Sequence, residues 1–86
     1  MGKAMYRGCV MQDKPMIWVN IESFEASSAE EAWQECQRRV QAAYKPEDVR
    51  TDRLYGSAIN VADLDDAYIE RRPAFLFGRD LDEPRA

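Results

Sequence analysis

The chain has 86 residues, a formal net charge of −4 and no histidine. That length makes one domain, and 45% hydrophobic with 33% charged residues is the composition of a folded protein rather than a disordered one. The mild acidity weighs against non-specific binding to a phosphate backbone, which needs clustered Lys and Arg, and falls short of the dense acidity of a nucleic-acid mimic.

Without imidazole the chain lacks the commonest general base near neutral pH and the commonest zinc ligand, and Ser-His and Cys-His nucleophile activation are excluded within it. No apolar run approaches the ~20 residues that span a bilayer. The beginning, "MGKAMYRGCVMQ", lacks the apolar core of a signal peptide. A soluble cytoplasmic protein is therefore expected. Cys9 and Cys36 stand far apart and in no metal spacing. They read as two small buried thiols, with a disulfide left open although nothing else suggests secretion.

Residues 4 to 11, "AMYRGCVM", predict a first strand, with Tyr6 and Val10 on one face and Met5, Cys9 and Met11 on the other. "QDKP" gives a short polar turn, and Pro15 suits a strand start because it cannot donate to a ladder. The second strand runs from Met16 to about Glu25, so the pair reads as a hairpin. Ser27 with Glu30, or Ser28 with Glu31, then forms a capping box. Ala29, Ala32, Trp33, Cys36, Val40, Ala43 and Tyr44 follow at helical spacings of three and four, one apolar stripe. The helix is expected to stop before Pro46, which pushes its predecessor out of the α region.

"PEDVRTD", 46 to 52, is a polar connector. "RLYGSAINVA", 53 to 62, alternates again and predicts a third strand. Asp63 is placed to cap a short helix that turns Leu64, Ala67 and Tyr68 inward and ends at Pro73. "AFLFG", 74 to 78, fits a fourth strand, and "RDLDEPRA", 79 to 86, a charged flexible tail. The expected fold is a single α+β domain over residues 1–78: a small antiparallel sheet of about four strands, elements in the order ββαβ(α)β, with one long helix packed on one face.

The second strand poses a problem of parity. Counting in twos from Phe24 sends Glu22 and Asn20 into the core, at a cost of several kcal/mol if they are unpaired. Counting from Ile17, Val19 and Ile21 gives a clean apolar face. A β-bulge near Glu22–Ser23 reconciles the two. It leaves Trp18 and Met16 on the face away from the helix, near Met5, Met11 and Cys9, with Tyr6 and Arg7 at the rim. One helix cannot cover both faces, so this second face must meet something. The candidates are the chain's own "AYIERRPAFLF" segment, a second copy in a homodimer, or a different partner. Trp, Tyr, Met and Arg are the residues enriched at protein interfaces.

Other groups carry weaker chemistry. Asp63, Asp65, Asp66 and Glu70 form a dense carboxylate group without the spacing of a calcium loop, and read as a solvated cap. Arg50, Arg53, Arg71 and Arg72, with Tyr55, Tyr68 and Phe75, would stack on single-stranded bases if the fold gathered them, but Asp and Glu interrupt them throughout. "SSAEE" lacks the glycines and Lys of a phosphate loop. No cofactor, metal or small-molecule substrate is indicated, and the chain is not expected to be an enzyme.

The run from Trp18 to Tyr44, "WVNIESFEASSAEEAWQECQRRVQAAY", passes from a strand through "FEASSAEEAW" into a helix. It resembles a pattern seen in small bacterial and phage proteins, among them phage-encoded inhibitors of host defence such as sheet-plus-helix anti-CRISPR proteins. The likeness covers under a third of the chain and carries over no functional residue. It departs from the acidic DNA-mimicking members, because the charge here is mild. It implies a small non-enzymatic protein that occupies a surface on a larger one. The alternatives are a nucleic-acid-binding module built on the four arginines and a structural homodimer closed through Trp18.

Overall fold

The computed structural model describes residues 2–65 and 78–81. Strand β1 (Ala4–Gln12) and strand β2 (Ile17–Ala26) form the predicted hairpin. Helix α1 (Ala29–Ala43) follows, and a connector with two 3-10 turns, Pro46–Asp48 and Thr51–Arg53, leads to strand β3 (Tyr55–Asn60). A third 3-10 turn covers Val61–Asp63, and the two-residue strand β4 is Arg79–Asp80. The sheet order is β3-β1-β2-β4.

β1 is antiparallel to both β2 and β3, whereas β4 runs parallel to β2. The fourth strand therefore departs from the expectation in place and direction. Residues 74–77 of the predicted strand lie outside the described residues, and β4 falls inside the segment read as a charged tail. What anchors it is not the polarity of its own side chains but backbone groups that meet Asn20. Leu81 donates its amide to the Asn20 carbonyl at 2.9 Å, and the Asn20 side-chain amide donates to the Gly78 carbonyl at 3.2 Å. Leu81 also packs against the core.

The parity problem in β2 is solved by the bulge. Tyr6 pairs with Phe24 and Gly8 with Ile21, so Glu22 and Ser23 together oppose Arg7. The extra residue lets Ile17, Val19, Ile21, Phe24 and Ala26 all face the helix, and all five are buried. From α1 they meet Ala32, Cys36 and Val40, with Trp33 and Tyr44 partly buried alongside. Ala29 and Ala43, at the two ends of the predicted stripe, are exposed.

Ser28 is the N-cap: its hydroxyl accepts from the Glu31 amide at 3.1 Å, while Glu31 reaches back to the Ser27 amide at 3.4 Å. At the other end the helix stops at Ala43, with Tyr44 extended, before Pro46. On its outer side Glu35 bonds both Arg38 and Arg39, and the Arg39 guanidinium lies 4.6 Å from the centre of the Phe24 ring.

Two glycines allow close approach. A Cβ at Gly8 would stand 2.2 Å from the Cys36 sulfur, so this glycine is the notch into which the helix settles. Gly56 has φ +141, and a Cβ there would meet the Cys9 carbonyl oxygen at 2.0 Å. After β3, Asn60 caps the turn at Val61–Asp63: its side-chain oxygen accepts from the Ala62 amide at 2.9 Å. The rest of the short helix expected there, from residue 66 onward, lies outside the described residues.

Candidate functional site

The face of the sheet opposite α1 is laid out in rows by the strand register. Tyr55, Met11 and Trp18 share one row across β3, β1 and β2; Ser57, Cys9 and Asn20 share the next; Ile59 and Arg7 follow. The face is not bare. Cys9 is 1% exposed and Asn20 3%. The Trp18 side chain hydrogen-bonds Cys9, and Asn20 is tied to the returning chain at Gly78. The middle of this face is closed by the Trp18 contact with Cys9 and the tie of Asn20 to Gly78; of the expected covering segment, residues 67–77, nothing lies within the described residues.

The end nearest the β1–β2 turn is open. Met16 is 76% exposed and Tyr55 47%, while Met11 and Trp18 are half-buried between them. Trp18 is thus neither core nor free. One edge of its indole closes over Cys9, and the remainder stays in reach of a partner.

The residues expected to form one patch divide in three. Met11 and Trp18 pair at the turn end; Met16, expected to open the second strand, lies instead in the turn just before β2. Met5 and Arg7 belong to the opposite end of β1; Met5 is six residues from Met11, about 20 Å along an extended strand. Tyr6 is a correction: it lies on the helix side, 9% exposed and within the core cluster. Alternation from Val10 carries Tyr6 inward, so it cannot rim the other face. Arg7 instead lines a polar pocket of about 410 Å³ with Asn20, Glu22, Ser23 and Asp80, beside the bulge.

Around the open end stand residues that sequence patterning alone did not gather there. Gln12, buried and pointing to the helix side, binds the connector. Its Nε2 donates to the carbonyls of Pro15 and Asp48 at 2.9 and 2.8 Å, and its Oε1 accepts from the Arg50 amide at 2.7 Å. The turn carries a cis Lys14–Pro15 peptide, and the Arg50 guanidinium donates to the Lys14 carbonyl at 3.4 Å. Asp13, Lys14, Arg53 and Tyr55 line a pocket of about 420 Å³. In it the Tyr55 hydroxyl donates to the Asp13 carboxylate at 3.0 Å, which pushes the phenol pKa up. The signal for this cluster was the closeness of Tyr55 to Arg50 and Arg53; what it lacked was the β3–β1 register that sets Tyr55 beside Met11.

Of the four arginines weighed for nucleic acid, Arg50 and Arg53 are exposed at this end, and Arg71 and Arg72 lie outside the described residues. The two cysteines are free, buried and on opposite sides of the sheet, Cys36 against Gly8 and Cys9 under Trp18. Burial pushes both thiols up to about 11, which makes them poor nucleophiles at neutral pH. Asp63 and Asp65 are exposed, while Asp66 and Glu70 lie outside the described residues. Among the described residues no group of three His, Cys, Asp or Glu side chains could hold a metal ion. No helix among them is long and apolar enough to cross a membrane. No protein-family model matches the chain, and comparison with curated proteins and with solved structures finds no match.

Proposed function

We propose that this protein acts by protein–protein contact, as a non-enzymatic inhibitor or adaptor that occupies a surface on a larger assembly. Its contact surface is the open end of the second sheet face, built on Met16, Trp18, Met11 and Tyr55. The observation that carries this reading is the Tyr55–Met11–Trp18 row, whose Tyr55 is 47% exposed, with Met16, 76% exposed, in the turn that leads into β2. A single exposed methionine needs no explanation. A methionine, a second methionine, an indole and a phenol in one patch has the composition of an interface centre. The strand-to-helix resemblance favours a host-defence complex as the class of target.

Affinity capture from the source cell tests the proposal, using wild-type protein beside Met16→Glu. The substitution is at an exposed site outside the core, so its effect on folding stability is expected to stay within ~0.5 kcal/mol. A protein retained by the wild type and lost by Met16→Glu supports the reading. Equal recovery by both removes this surface from consideration. Sedimentation of the purified protein over a concentration range separates self-association from a different partner, since a strict monomer excludes the homodimer.

A further inference from the structure

The pocket beside the open face identifies the partner's chemistry. We infer, resting on the contact surface proposed above, that it receives a carboxylate from the partner's chain, next to an apolar side chain seated on the Tyr55–Met11–Trp18 row. The partner segment is thus an acidic–apolar peptide.

The pocket, about 420 Å³, has two cationic residues, Lys14 and Arg53, and one acidic residue, Asp13, in its lining. The Asp13 carboxylate already accepts the Tyr55 hydroxyl. Among the described residues neither Lys14 nor Arg53 takes part in an ion pair. Arg50 is drawn to the same turn by its bond to the Lys14 carbonyl. The lining alone carries one cation in excess, on a chain of net charge −4. Its complement is an anion small enough to sit between two side chains. Arg53 presents a planar fork that matches a carboxylate in two-point geometry, and Lys14 supplies a point charge.

A polyanion fits less well. Asp48 and Asp52 flank Arg50 and Arg53 in the same connector, and the net charge opposes a phosphate backbone at longer range. One carboxylate satisfies the pocket; a run of phosphates meets these acids. The apolar row starting at Tyr55 and Met11 adjoins the pocket through Tyr55, which belongs to both. Acid and apolar group therefore lie close together in the ligand, within a few residues of one extended chain.

The test uses peptide arrays probed with the labelled full-length protein. One array pairs Asp or Glu with Phe, Trp or Leu at spacings of one to four residues. A second replaces the acid by Lys, and a third replaces the apolar residue by Gly. An oligo-dT ligand in solution is the nucleic-acid arm. Preferential binding to the first array is expected, at least tenfold stronger than to the second and weaker in 300 mM than in 50 mM salt. Arg53→Glu should remove the preference for acid, and Met16→Glu should weaken binding to the first array. Equal signals on the acidic and basic arrays overturn the inference. So do a first-array signal that ignores Arg53→Glu and oligo-dT binding tighter than any peptide. Capture repeated with Met16→Ser, which adds no charge, tests the contact surface independently of the partner's charge, so a Met16-dependent partner with no acid preference defeats this inference and leaves the contact surface standing.

Discussion

Replacing Gln12 by Leu asks whether one buried side chain holds the connector that carries Arg50 and Arg53. Gln12 is 2% exposed, and its amide group makes hydrogen bonds to Pro15, Asp48 and Arg50 at 2.9, 2.8 and 2.7 Å. Leu has a similar volume and makes none of them. The Arg50 amide is then left without its acceptor, at about 1–3 kcal/mol. The Asp48 carbonyl adds a smaller loss, and the exposed Pro15 can turn to water. A total of about 2–4 kcal/mol follows, a large part of the ~5–10 kcal/mol expected of so small a domain. With a urea m-value near 1 kcal/mol/M, the unfolding midpoint falls by roughly 2–4 M. Tryptophan fluorescence follows the transition.

Gln12→Glu sharpens the test. An ionised carboxylate there keeps the acceptor for Arg50 but faces two carbonyl oxygens, so burial and repulsion raise its folded pKa. Stability of this variant relative to wild type is present when the group is protonated and lost as pH rises through that pKa. It should be closer to wild type at pH 4 than at pH 7. If Gln12→Leu stays within 0.5 kcal/mol of wild type, the connector holds itself and the reasoning fails.

Two further outcomes follow from packing and burial. Gly8→Ala places a Cβ 2.2 Å from the Cys36 sulfur, and overpacking of this kind costs about 1–3 kcal/mol. Adding Cys36→Ala should recover most of the loss in urea unfolding; simply additive losses would show that the notch is not where the strain lies. The two thiols ionise from 9.0 in their ordinary state and from about 11 when folded. Between those values the unfolded chain sheds protons that the folded chain keeps, so stability is full below about pH 9 and declines toward pH 11. Cys9→Ala should flatten the decline measured by urea unfolding at pH 8 and pH 10.5, and an unchanged slope refutes the assignment.

The sequence signalled the parts of the fold that rest on local rules. The Ser28–Glu31 cap, the stop before Pro46 and the apolar run of β2 depend on neighbours within a few residues. Even the bulge was legible, because Phe24 and Ile21 could not otherwise share a face without burying Glu22. What depends on long-range register was not legible. Nothing near Tyr55 says that it lies beside Met11, and nothing in "RD" says that its backbone pairs with Val19 and Asn20. Gln12 was hidden for the same reason: two of its partners are 36 and 38 residues away. The residue type of Tyr6 suits an interface rim, but its alternation with Val10 sends it to the core.

The bulge also separates what folding requires from what it does not. With Glu22 and Ser23 sharing one position opposite Arg7, β2 delivers five apolar residues to the helix, and those suffice for its part of the core. Trp18 is then on the other side, where Cys9 needs a cover and part of an indole provides one. Burial accounts for that much of Trp18. It does not account for Met16, whose side chain is mostly in water, or for the exposed half of Tyr55. Either could be polar without loss to the core. Tyr55 shares a row with Met11 and Trp18, and Met16 stands in the adjoining turn, beside cations that the connector brings in through Gln12. The residues that folding leaves unexplained thus gather at one end of the sheet, and that is the reason to look for a partner there rather than at Met5 or in the polar pocket beside Arg7.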